Sequence, residues 1–164
     1  MGTAVARGHP FRVTTGTLEF RRLDEADIDR MVEIERDGYR YPWNVARFDD
    51  CMGPDYDAWG CFLEDQLLGY LIHWQVPGLH EAHLMNLCVH ARYLRQGVGR
   101  HLLRHWIARM VSQGMSELSL EVRSSNGAAR ALYESEGFEA QGERPDYYQA
   151  PEGPEAALIM KLDL

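Results

Sequence analysis

The residues best suited to chemistry are a carboxylate on a short apolar strand, a phenol downstream of it, and a glycine turn upstream of both. In Leu120-Glu121-Val122-Arg123-Ser124-Ser125-Asn126 the alternation turns Glu121 away from Leu120 and Val122. A carboxylate near the middle of a sheet costs free energy unless it is paired or solvated, which makes Glu121 a candidate general base. A salt bridge or an exposed strand position is the competing reading. Tyr133 follows seven residues after Asn126, on an amphipathic stretch where a tyrosine is more often core than catalyst. Tyr147-Tyr148 reads as a pair of surface aromatics in a loop.

The turn is Tyr93-Leu94-Arg95-Gln96-Gly97-Val98-Gly99-Arg100, entered from the apolar run Leu84–Val89. A strand running into Gly-x-Gly and straight into a helix leaves backbone N–H groups unpaired at the helix start, with the positive end of the helix dipole behind them. That is a site for phosphate or pyrophosphate. Residues 82–116 contain no Asp or Glu but carry Arg92, Arg95, Arg100, Arg104 and Arg109, in a chain of net charge −8. The dinucleotide fingerprint fails because its third glycine is Leu102, and a Walker loop fails because Lys161 is the only lysine. The turn by itself leaves its ligand open.

The elements that position these groups can be read in order. Residues 1–17, broken by Gly2, Gly8, Pro10 and Gly16, read as a flexible lead-in, and 18–164 as one domain. Leu18–Leu23 suits a strand. Asp24 caps a helix to about Arg36, with Ile28, Met31, Val32 and Glu35 at helical spacing. Asn44 caps a short helix to about Cys51. Ala58–Glu64 and Leu67–Val76 form a hairpin turning at Asp65-Gln66, and Ala82–Val89 is the next strand. A helix from Gly97 to about Gln113, a strand around Leu118–Val122, a helix from Gly127 to Glu136 and strands Phe138–Arg144 and Ala156–Leu162 complete the chain. The order implies a mixed α/β domain with a largely antiparallel first half.

Composition narrows the function. Hydrophobic residues at 45% and charged residues at 26% suit one globular domain. Cys51, Cys61 and Cys88 are an odd number without framework spacing, which points to a reducing compartment and a cytoplasmic setting. No stretch has the length of a membrane span, and the net charge speaks against nucleic-acid binding. His101 and His105 are four apart on a helix but lack a third metal ligand at recognisable spacing, and His80 and His83 read as surface positions. No metal is expected.

Taken together, the block Glu81–Phe138 resembles the GCN5-related N-acetyltransferase (GNAT) superfamily, whose signature after the fourth strand is [Gln/Arg]-x-x-Gly-x-[Gly/Ala]. Tyr41-Pro42-Trp43, Met85-Asn86-Leu87-Cys88-Val89, Leu120–Asn126, Ala131-Leu132-Tyr133-Glu134, Asp146-Tyr147-Tyr148 and Ala156–Met160 resemble the bacterial ribosomal-protein-alanine N-acetyltransferases within it. The likeness covers about residues 18–164. It implies a GNAT fold of the α/β (α+β) class, with a mostly antiparallel central sheet of about seven strands and about four helices. It also implies acetyl-CoA as co-substrate, its pyrophosphate on the N–H groups of Arg95, Gln96, Gly97, Val98, Gly99 and Arg100. Leu87, Cys88 and Val89 would bond the pantetheine arm and Asn126 would contact the cofactor. Glu121 matches the family's proton acceptor and Tyr133 its proton donor. The first motif position departs from the pattern, being Leu94.

The acceptor implied is the N-terminal alanine of a small-subunit ribosomal protein, protein eighteen. Charge and apolar length lead to the expectation of no nucleic-acid or membrane partner, and a monomer is expected. An α-amine of pKa ~7.8 is roughly 14% neutral at pH 7, a lysine near ~10.4 roughly 0.04%, so an α-amine needs only light help from a base. A covalent acetyl-Cys88 route, broader acetylation of protein N-termini or small amines, and a silent acyl-CoA-binding module are the alternatives.

Overall fold

The computed structural model describes residues 18–164. The lead-in assigned to residues 1–17 lies outside the described residues. The chain runs β1 (Leu18–Arg22), α1 (Ile28–Gly38), α2 (Val45–Asp50), β2 (Tyr56–Leu63), β3 (Gln66–Gln75), β4 (Glu81–Val89), α3 (Val98–Ser112), β5 (Glu117–Arg123), α4 (Gly127–Ser135), β6 (Glu139–Tyr148) and β7 (Glu155–Asp163). Among the described residues seven strands form one sheet in the order β1-β2-β3-β4-β5-β7-β6, parallel only between β4 and β5, and four helices flank it, as expected for the GNAT fold.

Local chemistry explains the helix starts. Asp24 accepts from the Ala26 N–H at 2.9 Å while Asp27 accepts from the Asp24 N–H at 3.3 Å, a reciprocal cap that opens one 3-10 turn before α1. Asn44 caps α2 through the Arg47 N–H at 2.9 Å, and Asn126 caps α4 through the Ala129 N–H at 3.2 Å. The sheet has a core on each face. On one, α3 buries Leu102, Leu103, Trp106 and Met110, and Tyr133 of α4 joins them. Each such side chain contributes about 1.5–3 kcal/mol. On the other, Met31, Val32 and Ile34 of α1 and Phe48 of α2 pack over Tyr70 and Ile72.

Most boundaries move by a residue or two from the sequence reading, and two of the differences matter here. The hairpin turns at Glu64-Asp65, between the paired Leu63 and Gln66, with Glu64 at φ 54°. Strand β6 extends to Tyr148, so Tyr147 and Tyr148 lie on a strand end rather than in a loop. Apolar periodicity could not extend that strand, because β6 is an almost wholly exposed edge.

One irregularity builds the site. Opposite β3, Asn86 pairs with Ile72 and Leu84 with His73, leaving Met85 as an extra residue on β4. Ala82 and Leu84 therefore face the α3 core, as do Leu87 and Val89, while Met85 and Cys88 face α1. Beyond the bulge β4 and β5 part. Their pairing covers only Glu81–Leu84 with Glu117–Leu120, although β4 continues to Val89 and β5 to Arg123.

Candidate active site

Where β4 and β5 separate, ladder groups of both strands lose their mutual partners, and two clefts open into the gap. One is lined by Glu35, Tyr41, Trp43, Met85, Glu121 and Arg123, among others, and the second by Cys88, Val89, Leu94, Arg95, Gly97 and Val98. The two share Tyr39, Leu87, Asn126, Ala129 and Tyr133. Tyr133 thus stands where they meet.

The second cleft is floored by the glycine turn. Gly97 caps α3 with φ 85°, a left-handed conformation that glycine adopts without steric cost. Arg95 holds φ 61°, unusual for a residue with a Cβ. The first intrahelical bond runs from the His101 N–H to the Gly97 carbonyl at 3.0 Å, so the N–H groups of Val98, Gly99 and Arg100 have no intrahelical acceptor. Leu87, Cys88, Val89, Arg95, Gly97, Val98, Gly99, Arg100 and Asn126 all line this cleft. Gln96 is not among its lining residues; its side-chain amide donates to the Arg92 carbonyl at 2.9 Å. Leu94 lines the cleft and is 53% exposed.

The arginine cluster is less free than its sequence suggests. Arg100 and Arg104 both bind Glu136, at 3.0 and 2.8 Å, and Arg109 lies over the Trp59 ring at 4.0 Å. A run of 35 residues without a carboxylate does not keep one from arriving from α4.

Glu121 is paired, as the competing reading of the sequence allowed, yet it stays on the first cleft. Arg144 Nε is 3.2 Å from Oε1, the Tyr147 hydroxyl donates to Oε2 at 3.0 Å, and His83 Nε2 is 3.5 Å from Oε2. The Tyr148 hydroxyl donates to the Glu121 carbonyl at 3.2 Å, and its ring lies 4.2 Å under Arg123. Burial, with Tyr147 and Glu121 nearby, pushes the Tyr148 phenol up to about 12. Tyr133 is buried, edge-on to Phe138 at 5.9 Å, and desolvation holds its phenol well above the usual tyrosine range.

Cys88 is placed for packing. Its Sγ lies 3.7 Å from the Ile34 carbonyl, and a Cβ on Gly38 would come within 2.7 Å of it. Burial, then Glu35, pushes its thiol far above the ordinary cysteine range, so it remains protonated at neutral pH.

The sequence reading missed several residues here. Glu35, counted as part of an apolar helical face, is a carboxylate 1% exposed on the first cleft. It accepts from the Tyr70 hydroxyl, from Asn86 Nδ2 at 3.1 Å and from the Trp43 N–H at 3.0 Å. Its signal was available: an acid on the buried stripe of a helix demands partners. The Tyr39 hydroxyl donates to the Leu87 carbonyl at 2.7 Å. His83, read as a surface residue, is half-buried beside Glu121. His105 stacks on Phe20 at 4.5 Å, and among the described residues no group of three His, Cys, Asp or Glu could hold a metal.

The family model of the Acetyltransferase (GNAT) family matches residues 28–138. The chain belongs to the GNAT acetyltransferase family. It is therefore an acyltransferase that uses acetyl-CoA as co-substrate. Among its relatives is the [Ribosomal protein bS18]-alanine N-acetyltransferase of Escherichia coli K12, 37% identical over 142 residues, which are 87% of this chain and 95% of that protein. The corresponding protein of Haemophilus ducreyi is 36% identical over 141 residues, 85% of this chain and 96% of that one. The crystal structure of the ribosomal-protein-S18-alanine N-acetyltransferase from Escherichia coli superposes with a TM-score of 0.84 at 36% identity, covering 89% of this chain and 93% of that one. Arabidopsis thaliana NAA60, solved with a bisubstrate analogue, shares the GNAT fold at a TM-score of 0.80 and 17% identity, over 90% of this chain and 98% of that one.

Proposed function

We propose that this GNAT enzyme transfers acetyl from acetyl-CoA to the α-amine of an N-terminal alanine, the acceptor being ribosomal protein bS18. The relatives named for that reaction support the acceptor, and both span nearly their full length against this chain. The observation that carries the mechanism is the meeting of two clefts at Tyr133, with the glycine turn on one side and Glu121 on the other.

In this reading the N–H groups of the turn from Arg95 to Arg100 hold the pyrophosphate, and Arg95 adds charge. The β4 backbone from Leu87 to Val89 has parted from β5, and with the Leu87 carbonyl already bonded by Tyr39 its remaining groups bind the pantetheine arm, an N–H there polarising the thioester carbonyl. Asn126 contacts the cofactor beside its capping role. The neutral amine enters through the cleft walled by Tyr41 and Trp43 and attacks the carbonyl carbon. A C–N bond forms, the nitrogen gives a proton through a water to Glu121, and the C–S bond breaks. The departing sulfur receives a hydrogen bond, then a proton, from the Tyr133 hydroxyl, which solvent reprotonates. The products are the acetylated N-terminus and CoA thiol.

The test is a panel of peptides differing only at residue one, incubated with the enzyme and acetyl-CoA. Alanine is expected to be the preferred first residue. Equal rates for all first residues would reduce the reading to a broad N-terminal acetyltransferase, and turnover of small amines alone would refute it.

A further inference from the structure

His83 lines neither cleft, yet its ring reaches the carboxylate assigned as the base. Residues His83 and Ser119 are direct partners in the short parallel pairing of β4 with β5. His83 Nδ1 lies 2.9 Å from Ser119 Oγ, and Nε2 lies 3.5 Å from Glu121 Oε2. An ionised carboxylate only accepts, so the ring nitrogen facing it carries the hydrogen. Nδ1 must then accept, and the Ser119 hydroxyl is free to rotate and donate to it.

We propose that His83 is a positioning residue for acetyl transfer, holding the Glu121 carboxylate through Nε2–H while Ser119 selects that tautomer. This rests on reading Glu121 as the base. The titratable and charged groups around the ring are Glu121 on β5, Arg144 on β6, and Tyr147 at the end of β6 through its bond to Glu121. Arg144 takes Oε1 but is 56% exposed, so its hold is screened by water. On the Oε2 side stand the Tyr147 hydroxyl at 3.0 Å and His83 Nε2 at 3.5 Å, with the His83 side chain 22% exposed. Burial keeps the imidazole below its ordinary range, outweighing the pull of Glu121. The ring is therefore a neutral donor at pH 7. A second cation on Glu121 would make it a poorer base, whereas a neutral donor orients it at smaller cost to its basicity.

Steady-state kinetics on an alanyl peptide test this in His83→Leu, His83→Gln and Ser119→Ala, with Glu121→Gln as background and thermal melting as the folding control. His83→Leu is expected to lower kcat about five- to twentyfold with the acetyl-CoA KM unchanged. It should also move the acid limb of kcat to higher pH, because a carboxylate that loses a donor is protonated more readily. His83→Gln restores a donor and should recover at least about half the lost rate, and Ser119→Ala should show a smaller loss and a smaller displacement of the acid limb in the same direction. In the Glu121→Gln background His83→Leu should change nothing further.

An unchanged kcat and acid limb in His83→Leu, or its full loss repeated in the Glu121→Gln background, overturns the positioning role. Should His83→Leu not fold, an unchanged rate and pH profile in Ser119→Ala does the same. Wild-type turnover in Glu121→Gln alone overturns the base reading and this proposal together, whereas a defect there with none in His83→Leu overturns only the proposal.

Discussion

Replacing Tyr133 by Phe removes one oxygen and leaves the ring against Phe138 and the α3 core. An alanine here would instead cost about 3–5 kcal/mol through the cavity it leaves, confusing catalysis with folding. Burial, and then the neighbouring Tyr148, raise the phenol, which stays protonated well past pH 10. A CoA thiol near pKa ~8.5 leaves as a thiolate that this O–H can bond, with the proton following. A hydrogen bond to a charged partner is worth about 1.5–3 kcal/mol. At 1.36 kcal/mol per tenfold, Tyr133→Phe should turn over about 10- to 150-fold more slowly. The assay is CoA release on an alanyl peptide, beside acetyl-CoA binding by calorimetry. The dissociation constant should change by less than about threefold, because the bond forms only as sulfur departs. Turnover within about twofold of wild type, or a loss appearing wholly as weaker acetyl-CoA binding, would exclude Tyr133 as the proton donor.

Three further outcomes are expected. His73 is fully buried on β3, and burial, with Arg109 and Arg22 nearby, lowers its imidazole to about 4. The unfolded chain binds this proton near pH 6.5 and the folded chain only near 4, so the neutral ring's contribution is complete above 6.5. As pH falls from 6.5 to 4, about 3 kcal/mol is lost. Urea midpoints at pH 7 and 4.5 should show that part of the acid loss missing in His73→Gln. Cys88→Ala should keep kcat within about threefold and lose about 1 kcal/mol of stability, since the thiol packs against α1; a tenfold loss with intact acetyl-CoA binding would restore the covalent route. Leu94→Gln should change acetyl-CoA affinity by less than about threefold in calorimetry, because backbone N–H groups rather than that side chain hold phosphate in this account.

Much of the frame was legible because it is local. The helical stripe of Val98, Leu102, Trp106 and Met110, the glycine turn before it and the caps at Asp24 and Asn44 depend on neighbours within a few residues. The opening of the site does not. It follows from Met85 having no partner on β3, a register set by strands whose pairing no local pattern reports. The same limit hid the partners of the charged groups. Glu136 reaches Arg100 from 36 residues away, and Arg144 reaches Glu121 from an exposed edge strand without apolar rhythm. Glu35 sat in plain view among Ile28, Met31 and Val32, but helical spacing registers position and ignores that one group must be hydrogen-bonded.

Acetylation of the α-amine of an N-terminal alanine can be seen on one peptide that carries a free alanyl N-terminus and internal lysines, incubated with the enzyme and acetyl-CoA and fragmented in a mass spectrometer. A single acetyl group is expected on residue one, with the lysines unmodified and no product when that amine is blocked. Acetyl on a lysine, or turnover that persists on the blocked peptide, would contradict transfer to the α-amine.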